Sequence, residues 1–350
     1  MINVESSKLG QLAIHRVGNK HNDESVFVSD EPAELTEELK EMLEAYFLKP
    51  FVKLTEKNEF VHEIELSYNV LKGIAESTFA NEELFFEDSE KIVRHLYDQS
   101  NHPHIKSGDL FVAYFDEMYL DGELMDAIGV FKSERKDSFL QVAENETKLK
   151  LITEEGISIK KLDKGCLILN SSEKGLIVLT VDNNNYDASY WKKDFLSIDV
   201  IKDENYETKA YMDLCKSFAK DVIGNNETKK EEIDFVNQSV KFFEENDHIE
   251  TQEFNDVLFD GVEELKEDFK DYKKAYEKEY EVEIADSFDI SEPVLQREKK
   301  NIANTIKLDT NIQLKMNFND TESIHQFVEQ GYDETKEMHY YKVFYNREIK

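Results

Sequence analysis

The sequence predicts an α+β protein: an N-terminal antiparallel-sheet domain with helices, followed by an acidic helical lobe and a C-terminal β-hairpin. Three observations predict it. Apolar spacing changes from three-and-four to a strand-like pattern near Asp109, returns to helical spacing after about residue 205, and alternates again beyond Thr305. A length of 350 residues fits two domains, since one domain usually holds roughly 100 to 200 residues. The expected division is 1–204, an α+β domain with an antiparallel sheet, and 205–350, an acidic helical region with C-terminal β segments.

In the first domain, residues 9–17, LGQLAIHRV, and 25–28, SVFV, are apolar stretches separated by GNKHNDE and predict a hairpin. Leu35, Leu39, Met42, Leu43, Tyr46 and Phe47 fall on one helix face, and Pro50 supplies the stop. Ile92, Val93, Leu96 and Tyr97 mark another helix, and residues 60–85 read as helical too. LFVAYFDEMYL and ELMDAIGVFK predict two strands around a turn at Asp121–Gly122. TKLKLI, KGCLILN and KGLIVLTVD then extend the sheet as an antiparallel meander.

In the second domain, Tyr211, Leu214, Cys215, Phe218 and Val222 form a helical stripe that stops at Gly224-Asn225-Asn226. Thr228 and Glu231 form a capping box ahead of Ile233, Val236, Val240 and Phe243. Val262, Leu265, Phe269, Tyr272, Tyr276 and Tyr280 define a third helix, its aromatics spaced for packing. Thr305 to Phe318 predicts a hairpin turning at Asp309-Thr310-Asn311, with Ile306, Leu308, Ile312, Leu314, Met316 and Phe318 inward. The final YYKVFYNREIK reads as one more strand.

Charge narrows the function classes. With 43 Lys and Arg against 76 Asp and Glu, the formal charge is −33, which opposes non-specific affinity for nucleic-acid phosphates or anionic lipid. Residues 227–292 hold 23 acidic and 8 basic residues, a net of −15. Residues 297–318 reverse the sign: Arg297, Lys299, Lys300, Lys307 and Lys315 stand against Glu298 and Asp309, a net of +3. Lys307 and Lys315 alternate with apolar residues, so they are expected on the outward face, where phosphates are within reach. Outward lysines also protect a strand from edge pairing. Trp191, Lys192 and Lys193 are a second nucleic-acid candidate, joining the only Trp to two cations; the same Trp could instead pack a helix start onto the sheet.

Catalytic and metal motifs are scarce. His102-Pro103-His104 lacks the third ligand that a zinc site needs. Asp116, Glu117, Asp121, Glu123 and Asp126 crowd a hairpin end without calcium-loop spacing. Asp182-Asn183-Asn184-Asn185-Tyr186 reads as a structured turn. Cys166 and Cys215 sit among apolar residues as small buried hydrophobes. With no nucleophile elbow, phosphate loop or dinucleotide fingerprint, the expectation is a non-enzyme without cofactor or metal. The N-terminus lacks a basic region leading into a long apolar stretch, and no run approaches the roughly 18 apolar residues of a membrane span, so the chain is expected in the cytoplasm.

The segments LAIHRVGNK, GDLFVAYFDE with DAIGVFK, VDNNNYDASYWKKDFLSI and NIANTIKLDTNIQLKMNF resemble the NdpA, or YejK-like, family of bacterial nucleoid-associated proteins. The likeness is spread across nearly the whole chain. It implies a cytoplasmic protein of the nucleoid, without cofactor, that binds DNA or DNA-bound proteins, a topoisomerase being one such partner. A homo-oligomer is compatible with it. The alternative is an acidic interaction module, or DNA mimic, that occupies the basic channel of a DNA-processing enzyme.

Overall fold

Alternate residues of a strand point to opposite faces, yet Leu110 to Phe115 are apolar throughout, so this strand belongs between two apolar layers. The computed structural model bears this out. It describes residues 2–3, 7–145, 148–184, 189–226, 228–302, 305–315 and 327–347, and the chain divides into two units, Met1–Ile201 and Lys202–Lys350. Met316, Phe318, Asn185, Tyr186, Glu227 and residues 348–350 lie outside the described residues.

The elements of the first unit are, in order, β1 (Ile2–Asn3), β2 (Lys8–Val17), α1 (Glu37–Leu48), β3 (Asn58–Phe60), α2 (Val70–Ala80), α3 (Phe85–Gln99), β4 (Gly108–Leu120) and β5 (Glu123–Ser133). They continue with β6 (Lys136–Asn145), β7 (Lys148–Ile157), β8 (Lys164–Ser171), β9 (Gly175–Asp182) and β10 (Ile198–Val200). The main sheet is antiparallel, in the order β1-β4-β5-β8-β9-β3-β10, with β2 also on β4. On one face Leu110, Val112 and Tyr114 meet α2 and α3 through Leu71, Phe85, Ile92, Val93 and Leu96. On the other, Phe111, Ala113 and Phe115 meet Tyr46, Phe47 and Phe51. The β4–β5 turn forms at the expected place, where Asp121 (φ 51°) and Gly122 (φ 93°) both take the left-handed region that a tight two-residue hairpin requires.

Several expectations change. LGQLAIHRV forms β2, but its partner is β4; SVFV touches it only through the Arg16–Phe27 bridge. Residues 58–60 are a strand ahead of α2, so 60–85 is not helical throughout. Pro50 does not stop the chain's helical course at once, because a 3₁₀ turn over Lys49–Phe51 carries Phe51 into the core. Leu39 and Met42 of the predicted apolar face are exposed, since only the last turn of α1 meets the sheet. Of TKLKLI, Lys148 to Ile152 lie in β7, which pairs with β6 as a separate ribbon and not with the main sheet, and Thr147 lies outside the described residues.

The second unit contains α4 (Glu204–Phe218), a π-helical turn over Ala219–Ile223, the short α5 (Gly224–Asn226), α6 (Lys229–Glu245), β11 (His248–Glu250), α7 (Thr251–Leu258) and α8 (Glu263–Tyr280). It ends with β12 (Ser287–Asp289), α9 (Glu292–Lys300), β13 (Thr305–Lys307), β14 (Gln313–Lys315), β15 (Val328–Asp333) and β16 (Met338–Val343). Thr228 caps α6, its side chain accepting from the backbone N–H of Glu231. The core is aromatic: Tyr211, Phe218, Phe243, Phe254 and Phe269 are buried together. Val262 and Tyr280 are exposed, so the stripe of α8 buries only its middle. Of the final predicted strand only Tyr340 to Val343 lie in β16, which pairs with β15, and the chain leaves the strand at Phe344.

A buried ionic network fixes one end of the main sheet. Lys132 of β5 and Lys164 of β8 are direct cross-strand partners, at 0% and 1% exposure. Lys132 lies 3.0 Å from Glu134 and donates to the Lys106 carbonyl at 2.5 Å; Lys164 meets Asp182 at 2.5 Å. Both ammonium groups lie against the Tyr190 ring, 5.7 and 5.4 Å from its centroid. Asn184 Nδ2 donates to Glu134 at 2.8 Å, and Arg135 donates to Asn184 Oδ1 at 2.6 Å. Burial lowers the pKa of Lys132, so its charge depends on these anions. Removing one member leaves the other buried and unpaired, at a cost of about 3–5 kcal/mol. Lys164→Met is therefore expected to lower unfolding free energy by about 3 kcal/mol in urea titrations, and Lys164→Met/Asp182→Asn to recover part of that loss. An unchanged midpoint in the single variant would show that the pair is not needed.

Candidate nucleic-acid interface

α9 carries Arg297, Lys299 and Lys300 in its last turn, where unpaired carbonyls form the negative end of the helix dipole and favour cations. Lys299 is engaged by Glu244 of α6 at 2.5 Å. Glu298 is buried and takes Lys216 of α4 at 2.6 Å. Arg297 and Lys300 are exposed. Part of the basic cluster thus holds α9 onto its neighbours, and the ion pairs responsible could not be read from spacing because Glu244 lies 55 residues away.

The hairpin forms as expected. β13 and β14 pair in the register Thr305↔Lys315, Ile306↔Leu314 and Lys307↔Gln313, and Asn311 (φ 62°) takes the left-handed turn position that Asn tolerates. Residues directly opposite share a face, so Ile306 and Leu314 lie on one side and Lys307 and Lys315 on the other. The apolar side packs on Ile233 of α6 and Val328 of β15, with Leu308, Phe327 and Tyr341 around it. Ile312, expected inward, is exposed, because it lies at the turn beyond this small core. Lys307 and Lys315 are exposed diagonal neighbours, with Cβ atoms about 7–8 Å apart by strand geometry.

Trp191 occupies a different setting in the first unit. It sits in a π-helical turn over Tyr190–Leu196, wholly buried, and its Nε1–H donates to Thr180 Oγ1 at 3.0 Å. Base stacking needs an open ring face, and Trp191 has none, which corrects its reading as a stacking platform. Lys192 pairs with Glu56 at 3.0 Å, and Lys193 is exposed. The structure therefore keeps Arg297 to Lys315 together in one unit and leaves Trp191, Lys192 and Lys193 in the other.

The other candidate groups have structural partners. Glu117 meets Lys8, Asp121 meets Lys57, Glu123 accepts from Ser171 and Ser172, and Asp126 accepts from Tyr114. His102 and His104 are exposed, and no group of three His, Cys, Asp or Glu among the described residues could hold a metal ion. Burial pushes both Cys166 and Cys215 up to about 12, so neither supplies a thiolate near neutral pH.

A Ser–His pair, not anticipated from sequence, occurs at Ser89 and His15. His15 Nδ1 accepts from the Ser29 backbone N–H at 3.2 Å, so in the neutral ring the proton sits on Nε2, which faces Ser89 Oγ at 3.0 Å. Ser89 in turn donates to the Phe86 carbonyl at 2.6 Å. The imidazole thus gives a hydrogen bond to the serine and cannot take its proton, the reverse of what an activated nucleophile requires.

Over residues 13–337 the chain matches the family described as nucleoid-associated protein YejK. No curated protein gives a significant match.

Burial, with the Arg94 charge adding to it, lowers His15 from 6.5 to about 4. The unfolded chain accordingly takes up a proton that the folded one refuses, and stability is lost as pH falls from about 6.5 towards 4. His15→Gln is expected to flatten that part of the profile when denaturation midpoints at pH 7, 5.5 and 4.5 are compared with the parent. Parallel profiles would place the loss elsewhere.

Proposed function

The chain belongs to the family of nucleoid-associated protein YejK, and on that premise we propose that it is a non-enzymatic protein of the bacterial cytoplasm whose basic hairpin contacts DNA phosphates. The observation that carries this reading is the shared solvent face of Lys307 and Lys315, with exposed Lys300 just before them in the same unit. Lys307 and Lys315 project from a hairpin whose other face is anchored by Ile306 against α6 and β15, so they can meet a partner without disturbing the core. Phosphate contact of this kind positions a protein on a duplex and carries no base preference. No helix among the described residues is long and apolar enough to cross a membrane.

A second reading has its own observation. Glu263, Glu264, Glu267, Asp268, Asp271 and Glu279 of α8 are exposed; Lys266 holds Glu263 and Lys274 holds Asp271, and the excess of carboxylates that remains suits a basic protein surface. In that reading the partner is a DNA-processing enzyme such as a topoisomerase, bound in place of DNA.

Replacing Lys300, Lys307 and Lys315 by Gln separates the two. Each lost phosphate contact removes roughly 0.9 from the log–log salt slope, so the triple variant is expected to bind duplex DNA more weakly and with a slope shallower by about 2.7. Lys299→Gln, already engaged by Glu244, should change the slope little. Titrations at several salt concentrations, with circular dichroism to confirm folding, give the answer. Undetectable DNA binding by the parent at low salt would leave the acidic-module reading in its place.

A further inference from the structure

The β6–β7 ribbon stands apart from the main sheet, paired only with itself. One of its faces carries Leu140, Val142, Leu149 and Leu151, exposed at 73%, 61%, 70% and 72%. An isolated two-stranded ribbon is marginally stable in water, and a long edge strand with unpaired peptide groups is a template for another strand. β7 is such an edge: ten residues, Lys148–Ile157, without proline, and on its outer side no strand among the described residues.

The charges along β7 are segregated. Lys148 and Lys150 occupy its first half, and Glu154 and Glu155 its second. A strand patterned in this way repels a parallel copy of itself and complements an antiparallel one. We infer that two copies of the chain associate about a two-fold axis by antiparallel pairing of β7 with β7, centred on Ile152. In that register Ile152 faces its own counterpart, and Lys150 of each copy lies opposite Glu154 of the other, on the same face of the new four-stranded sheet. The interface is isologous, so it closes at two copies. The outer edge of β6 is less suited, since its cation Lys136 is drawn to Asp109 at 3.4 Å within the same chain.

Charge reversal tests the register directly. Lys150→Glu or Glu154→Lys alone places like charges opposite each other twice per dimer, and each is expected to raise the dimer dissociation constant by about tenfold or more in sedimentation equilibrium. The double variant Lys150→Glu/Glu154→Lys restores both pairs and should return to near the parental value. An independent measurement uses Ile152→Cys: counterpart Cβ atoms about 4.5–5.5 Å apart are close to disulfide range, so mild oxidation should give a covalent dimer. Leu140→Cys, on β6, should not crosslink, and native Cys166 and Cys215 are buried and inert. A parent that remains monomeric at high concentration overturns the inference. So does a dimer that is indifferent to both reversals and fails to crosslink at Ile152→Cys.

Discussion

Lys132 and Lys164 face each other across β5 and β8, almost wholly enclosed, so their mutual repulsion has to be answered by groups brought from elsewhere in the chain. Burial is the larger obstacle to the charge on Lys132, and the neighbouring Lys164 adds to it. Glu134, Asp182 and the Tyr190 ring supply the compensation, and each reaches the site only because a specific segment closes over the sheet end. Asp182 is the last residue of β9. Asn183 donates to the Leu162 carbonyl, Asn184 bridges Glu134 and Arg135, and Tyr190 and Trp191 begin the helical turn that completes one core. The described residues of VDNNNYDASYW thereby act as the clamp over two buried cations.

That clamp explains where sequence reasoning succeeded and where it stopped. Runs such as LFVAYF and CLIL were legible as strands because a sheet covered on both faces needs apolar residues at every position. The β4–β5 turn was legible because Asp–Gly tolerates left-handed backbone. Thr228 announced a helix start through its side-chain oxygen, and the β13–β14 register followed from alternation. By contrast, β6 was missed because KDSFLQVAEN is a weakly apolar, charged segment whose only partner is its neighbour in the ribbon. The main partner of LGQLAIHRV was missed because local alternation says nothing about β4, some ninety residues or more away, and SVFV meets it only at the Arg16–Phe27 bridge. Lys132 and Lys164 look like surface residues in sequence; only the pairing of β5, β8 and β9 encloses them.

For the candidate interface, alternation placed Lys307 and Lys315 on the outer face of their hairpin, and composition marked the basic segment. What sequence could not distinguish was a cation held by a carboxylate from one that faces solvent. Lys299 holds Glu244 and Lys192 holds Glu56, so counting charges overstates how many side chains are available to a ligand. The lone Trp was the opposite case. Its neighbours Lys192 and Lys193 suggested stacking, but an indole that donates to Thr180 inside a core has no face to offer.

The remaining constraint is electrostatic. A chain of net −33 approaches a duplex against repulsion, and at about 0.1 M salt only charges within about 10 Å of the contact act strongly. Lys307 and Lys315 share one face of their hairpin, and the carboxylates of the rest of the chain weigh more on the approach the lower the salt. Three phosphate contacts alone give weak, salt-sensitive binding. Association of two chains through β7 would place two such hairpins on one particle, and a second contact with the same duplex would then be intramolecular, governed by effective concentration and not by bulk DNA. On the proposed reading an acidic protein would hold DNA through few cations, because one hairpin alone would release readily and two on one particle would persist.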